Sequence, residues 1–314
     1  MLDEHILPFV LLSDRERNLP VFLYQQCIRY WKNTGQRVIS AGRFLLRGDI
    51  GMSAWLLYVA LGAFAGVLAG LLGVGGGLVI VPILTFIFTA QGLPAEHILH
   101  LALGTSLASI MFTSVSSLRA HHARGAVDWL VVRRISPGIL AGTFLGSWVA
   151  AQLSTRFLKV FFVIFLYYVA VQMLLNIRPK PHRQLPGRSA MFGVGGLIGG
   201  VSSLVGIGGG SMSVPFLVWC NIAMHNAIGT SAAIGFPIAL AGAAGYLVNG
   251  LSVELPPHTL GYIYLPALIG IAAASIVTAP LGARLAHSLP IGGLKKIFAL
   301  LLIVMGTKML LGLF

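Results

Sequence analysis

Residues 73–84 read Gly73-Val-Gly-Gly-Gly-Leu-Val-Ile-Val-Pro82-Ile-Leu84, and residues 206–217 read Gly206-Ile-Gly-Gly-Gly-Ser-Met-Ser-Val-Pro215-Phe-Leu217. Each stretch is a glycine cluster leading into an apolar run, 78–90 and 211–222. Both runs are too short to cross a bilayer comfortably, because a helical span needs about 20 residues. Two further pairs keep the same order along the chain. His100-Leu-Ala-Leu-Gly-Thr-Ser106 is echoed by His225-Asn-Ala-Ile-Gly-Thr-Ser231. Leu158-Lys159, Phe162 and Met173-Leu-Leu175 are echoed by Leu294-Lys295, Phe298 and Met309-Leu-Leu311. Three ordered matches mark a duplicated unit, with register changes that loop lengths account for.

The surrounding composition says where such a unit lives. Of 314 residues, 57% are hydrophobic and only 9% are Asp, Glu, Lys or Arg. Soluble domains carry roughly 25% charged residues, so an ordinary soluble enzyme and a disordered chain are both excluded. Apolar segments of spanning length lie near 55–73, 98–118, 135–153, 157–175, 190–207, 226–248, 260–281 and 294–314. With the two short runs, each copy holds five apolar segments. The expected fold is an all-α polytopic membrane protein with a first repeat over 53–176, a basic linker over 177–189 and a second repeat over 190–314. Residues 1–52 form a polar extension whose seven cations alternate with apolar residues such as Phe22, Ile28, Trp31 and Phe44. That pattern fits an amphipathic helix on the membrane surface or a solvated tail. The acids around its first apolar stretch make it a poor signal peptide.

Charge then orients the repeats. The net charge of +13 would suggest nucleic acid in a soluble protein, but here the cations sit between apolar runs, so no nucleic-acid partner is expected. The loop from Arg119 through Arg133-Arg134 holds four arginines, whereas its counterpart, residues 248–257, holds no Lys or Arg. By the positive-inside rule the two loops face opposite sides, which makes the repeats inverted. Ten crossings with the linker inside collect eleven cations there and leave Arg156 and Lys159 near an outer loop. The same count puts the seven cations of the extension outside, a conflict that one crossing more or fewer near the amino terminus removes. Cys27 and Cys220 are far apart, so neither a disulfide framework nor a metal site is indicated.

The chemistry follows from what the spans lack. After residue 50 the only acids are Glu96, Asp128 and Glu254, and none lies in the middle of a predicted span. An intramembrane enzyme is therefore disfavoured: the spans hold no acid, no nucleophile–base pair and no metal cluster. Cofactors are not expected, and no G-x-x-x-x-G-K-[ST] motif is present for ATP. Gly75, Gly76 and Gly77, like Gly208, Gly209 and Gly210, weaken a helix by about 1 kcal/mol each relative to Ala and so mark a break before a short half-helix. A half-helix starting there presents free N–H groups and a positive dipole end, which suits an anion. The competing reading is close helix packing through glycine. Ser211 follows the second break. Gly104-Thr105-Ser106 and Gly229-Thr230-Ser231 offer hydroxyls that can donate to an oxyanion, or that simply bond their own i−4 carbonyls. His100 and His225 can contact an anion or a proton, or mark a helix start. His121 and His122 read as a solvated basic loop, and Asp128 before Trp129 as an N-cap.

At these motifs the sequence resembles the sulfite exporter TauE/SafE family of membrane permeases, over roughly residues 55–314. The carriers are the two G-x-G-G-G clusters with their Val-Pro pairs at 73–82 and 206–215, the two Gly-Thr-Ser motifs, and Arg124-Gly-Ala-Val-Asp-Trp129. The resemblance implies a secondary transporter exporting a small anion such as sulfite or an organosulfonate like sulfoacetate, in the inner (plasma) membrane of a bacterial cell. The same residues also suit an uptake permease for such anions. Oligomeric state is not legible here.

Overall fold

The helices begin and end where the local chemistry tells them to. Asp128 accepts from the amides of Leu130 (3.0 Å) and Val131 (3.2 Å), so it is the expected N-cap. Ser154 caps the next helix through the Phe157 amide at 3.3 Å. In chain order the computed structural model has α1 (Met52–Leu72), α2 (Gly77–Ala90), α3 (Ile98–His122), α4 (Trp129–Gln152), α5 (Thr155–Leu174), α6 (Arg188–Val205), α7 (Gly210–Trp219) and α8 (Met224–Gly250). A hairpin of β1 (Thr259–Leu260) and β2 (Ile263–Tyr264) precedes α9 (Leu265–Ser288) and α10 (Ile291–Leu311). The structure describes residues 52–73, 76–175, 184–288 and 291–312, so the extension up to residue 51, Gly75 and the centre of the linker lie outside the described residues.

Among the described residues, α1, α3, α5, α6, α8 and α9 are long and apolar enough to cross a membrane. Their outward faces carry large apolar residues such as Leu197, 66% exposed, and Val277, 70% exposed, as a lipid-facing surface does. The chain is an integral membrane protein. Helix α1 packs along α9 and α4 along α6, while α3 and α8 pack on each other in the interior and α5 on α10. The short α2 and α7 lie against α3 and α8 respectively.

Three expectations need correction. Residues 260–264 do not join the following span; they turn through Gly261 at φ 55, and Thr259 pairs with Tyr264. Glycine at the first turn position and β-branched or aromatic flanks favour such a hairpin over helix. The fourth helix starts at Trp129 rather than near 135, because Asp128 nucleates it, and Arg133 and Arg134 therefore lie within α4. His121 is not solvated: it is buried in the last turn of α3, where its Nε2–H donates to the Gly70 carbonyl at 3.1 Å.

Candidate functional site

Gly76 and Gly209 each open a new short helix from a left-handed conformation. They are the N-caps of α2 and α7, both at φ 74, which costs an L-residue about 1–2 kcal/mol. The first amides to find a helical acceptor are Val79 and Met212, which donate to the carbonyls of Gly76 and Gly209 at 3.0 Å. The amides of Gly77 and Leu78, and of Gly210 and Ser211, thus head their helices without an intrahelical acceptor, at the positive dipole end. The two turns meet. A Cβ on Gly77 would collide with the Gly206 carbonyl and lie 2.9 Å from Ile207 Cα. Gly208 is buried beside Gly235, whose ideal Cβ lies 3.4 Å from its carbonyl oxygen.

The Gly-Thr-Ser motifs clamp this meeting point. Thr105 Oγ1 accepts the amide of Tyr264, and Thr230 Oγ1 accepts the amide of Asp128, both at 2.9 Å. Ser106 Oγ donates to the Gly206 carbonyl at 2.8 Å, and Ser231 Oγ to the Gly73 carbonyl at 3.2 Å. Gly104 and Gly229 have no room for a Cβ, which would strike the carbonyls of Tyr262 and Ala126. The two serine hydroxyls spend their O–H on carbonyls remote in sequence rather than on an i−4 carbonyl, whereas the two threonine hydroxyls are tied down as acceptors, which leaves the donor side of each O–H outside these bonds.

Serines outside the motifs behave differently. Ser202, 0% exposed, and Ser211, 5% exposed, have hydroxyls with no hydrogen-bond partner. Leaving a buried hydroxyl unpaired costs about 1–3 kcal/mol. Ser211 is in the first turn of α7, and the Ser202 hydroxyl lies 3.4 Å from where Gly209 would carry a Cβ. Both therefore border the α7 N-terminus. Ser213 Oγ is bonded to Ser231 Oγ at 2.7 Å. Ser202 was missed by sequence reasoning, although a signal existed. Aligned on the glycine clusters, Ser202, Ser211 and Ser213 stand where the first copy has Ala69, Leu78 and Ile80.

The paired histidines part company. His100 is buried, with Nε2–H donating to the carbonyls of Ala150 and Leu153 at 3.1 Å and its ring stacked on Tyr262 at 5.1 Å. His225 is exposed in the first turn of α8. His100 borders a cavity of about 520 Å³ shared with His97, Arg156, Lys159 and Tyr262. Thr155 Oγ1 donates to the Glu96 carbonyl at its edge. Burial pushes the Tyr262 phenol above its usual range, so it remains a neutral donor there. Among the described residues the buried polar side chains are Ser, Thr and His, with no Asp, Glu, Lys or Arg, and no cluster of three His, Cys, Asp or Glu is present.

Comparison with known proteins gives a single answer. A probable membrane transporter protein of Haemophilus influenzae is 40% identical over 259 residues, covering 82% of this chain and 98% of that protein. A probable membrane transporter protein of Methanocaldococcus jannaschii is 29% identical, covering 81% and 95%, and one of Bacillus subtilis is 26% identical, covering 82% and 97%. No solved structure matches. Residues 58–309 match the family described as Sulfite exporter TauE/SafE, and the chain belongs to that family of membrane proteins.

Proposed function

We propose that this membrane transporter is a secondary carrier that exports a small anion, most simply sulfite or an organosulfonate such as sulfoacetate, across a bacterial inner membrane. The observation that carries the reading is the pair of left-handed glycine caps at φ 74, which start α2 and α7 where the two glycine turns meet. An anion there is held by backbone N–H groups, with Ser202 and Ser211 as side-chain donors. A formal charge is not needed, and none is buried among the described residues. Neutral donors bind an anion without trapping it, which a carrier requires. Gly75 through Gly77 and Gly208 through Gly210 form the binding backbone; Thr105, Ser106, Thr230 and Ser231 hold its frame. His225, at the surface, is the imidazole of the pair that is free to meet an anion or proton on its way.

The two halves act as inverted repeats in this proposal. Three kinds of contact support it by recurring in both halves. Ser106 to Gly206 has its counterpart in Ser231 to Gly73, and Thr105 with Tyr264 in Thr230 with Asp128. His121 to Gly70 is answered by Tyr246 Oη donating to the Ser203 carbonyl at 3.0 Å. The packing of α1 on α9 and α6 on α4 is the exchange that a two-fold relation between halves predicts. Alternating access then rocks one half against the other around the glycine turns. An anion leaving an inside-negative cell gains about 2.3 kcal/mol per charge per 100 mV, so the membrane potential suffices as a driving force.

The test is flux by the purified full chain in liposomes loaded with sulfite or sulfoacetate. Efflux should accelerate when an inside-negative potential is imposed. Efflux equal to that of protein-free liposomes, for both anions and in both directions, overturns the proposal. Uphill accumulation from outside would instead assign uptake.

A further inference from the structure

The cavity beside His100 takes its walls from three parts of the chain that are distant in sequence. Glu96 and His97 come from the approach to α3, residues 151–159 from the turn between α4 and α5, and Tyr262 from the hairpin. Contacts across the base hold these walls together. Thr155 Oγ1 donates to the Glu96 carbonyl, and His100, which ties α3 to the end of α4, stacks on the Tyr262 ring at 5.1 Å. The hairpin is itself fixed, since the Tyr262 amide donates to the Tyr246 carbonyl at 3.2 Å. Tyr262 is 3% exposed, yet its phenol oxygen has no hydrogen-bond partner among the described residues. Unlike the hydroxyls of Ser202 and Ser211, that oxygen is not fully enclosed, so it opens on the cavity that its residue lines. The head of α5 borders the same space through Ser154, Thr155 and Arg156. Ser154 Oγ accepts the Phe157 amide at 3.3 Å, and the Ser154 carbonyl accepts the Leu158 amide at 3.0 Å. The Thr155 and Arg156 amides remain as donors at the positive helix end.

We infer that this cavity is a second oxyanion site, the outer docking place of the exported anion, with the Tyr262 phenol, the head of α5 and Lys159 as its donors. The inference rests on the anion-carrier reading above and adds a station to it. The one carboxylate of the lining is Glu96, which is exposed, so solvent screens its charge. Lys159 is half-buried and is screened less. Ala151 and Leu153 add an apolar wall, and a volume of about 520 Å³ leaves room for a short carbon stem behind the oxyanion. The position suits a carrier. Charge places the turn between α4 and α5 on the same outer side as residues 248–257, and Tyr262 lies just beyond the latter. Ser106, which bonds the Gly206 carbonyl, is six residues along α3 from His100, about 9 Å on the helix axis. The hairpin that offers the Tyr262 phenol also gives its Tyr264 amide to Thr105. An anion in the cavity therefore touches the same hairpin that is clamped to the frame of the glycine turns.

Calorimetric titration of the purified full chain in detergent with sulfoacetate tests the inference without any flux. The background is the Ser202→Ala, Ser211→Ala double variant, which disables the proposed donors at the α7 head, so the outer site is read alone. Binding should persist in that background and weaken roughly tenfold when Tyr262→Phe removes one hydrogen bond to a charged ligand. Tyr262→Phe keeps the ring that stacks on His100, and an unchanged melting midpoint checks that the fold survives. Lys159→Gln should weaken binding a few-fold, and Lys159→Arg, which keeps the charge, should retain it. Glu96→Gln should tighten binding, because it removes a negative charge beside an anion. Three results each overturn the inference. They are no binding in the double variant, binding there that is indifferent to both Tyr262→Phe and Lys159→Gln, and weaker binding in Glu96→Gln, the sign of a cationic ligand. Complete displacement of sulfoacetate by phosphatidylglycerol also overturns it, by assigning the donors to a lipid headgroup. Absent flux in liposomes with these binding results intact would instead sink the carrier reading alone.

Discussion

Ser106 Oγ donates to the carbonyl of Gly206 across 2.8 Å, joining α3 of the first half to the end of α6 in the second. The acceptor belongs to a residue at φ 67, so its peptide points away from the helical ladder and depends on a side chain for satisfaction. Ser106→Ala should leave that buried carbonyl without its hydroxyl donor and destabilise the protein by about 1–3 kcal/mol. Thermal unfolding in detergent measures this. An unchanged midpoint would show that another donor replaces the hydroxyl.

The two left-handed caps share a conformation but not a neighbourhood. An added Cβ at Gly76 would sit 2.8 Å from the Ala65 carbonyl oxygen and 3.2 Å from Ala65 Cβ. At Gly209 the collision is with Ile238 Cδ1, the far end of a side chain that can change rotamer. Both alanine variants carry the about 1–2 kcal/mol backbone strain, but only Gly76→Ala must also move backbone. It should unfold earlier than Gly209→Ala by a margin measurable in paired melts. Equal melts would mean that α1 yields as readily as the isoleucine tip.

Much of this architecture is legible in the sequence because apolar length and repetition are local signals. The glycine clusters fall at the starts of α2 and α7, and Asp128 declares the start of α4 by its side chain alone. What is not legible depends on partners distant in sequence. His121 looks solvated between Arg119 and Arg124 until α1 supplies the Gly70 carbonyl. The Ser106 and Ser231 hydroxyls look like ligand donors until the Gly206 and Gly73 carbonyls arrive to take their protons. Ser202 has no motif around it, and its unpaired state is a property of packing. The hairpin at 259–264 was hidden because a short apolar run reads alike as helix or strand.

The duplicated histidines give a contrast within one motif. His100 joins α3 to two carbonyls at the end of α4, whereas His225 is exposed. His100→Ala removes the donor for both carbonyls, so it should lower stability by about 1–3 kcal/mol. His225→Ala should lie within about 0.5 kcal/mol of the parent, as surface changes do. The check is the pair of unfolding midpoints. A large loss for His225→Ala would reveal a buried role for its ring.

The unpaired hydroxyls of Ser202 and Ser211 separate a binding role from a structural one by the sign of the stability change. If they only filled space, Ser202→Ala and Ser211→Ala would remove two buried, unbonded polar groups, and the protein would gain stability and keep its flux. If they donate to the transported anion, the same variants should be as stable as the parent or more so, yet transport poorly. Each hydrogen bond to a charged partner is worth about 1.5–3 kcal/mol, so each substitution should weaken anion binding by roughly tenfold or more. Ser213→Ala is the internal control, because its hydroxyl is already bonded to Ser231 and its loss should lower stability first. Initial efflux rates from liposomes, normalised to folded protein, decide the matter alongside melts with and without sulfite. Full flux in the Ser202→Ala, Ser211→Ala double variant would move the anion away from the α7 N-terminus.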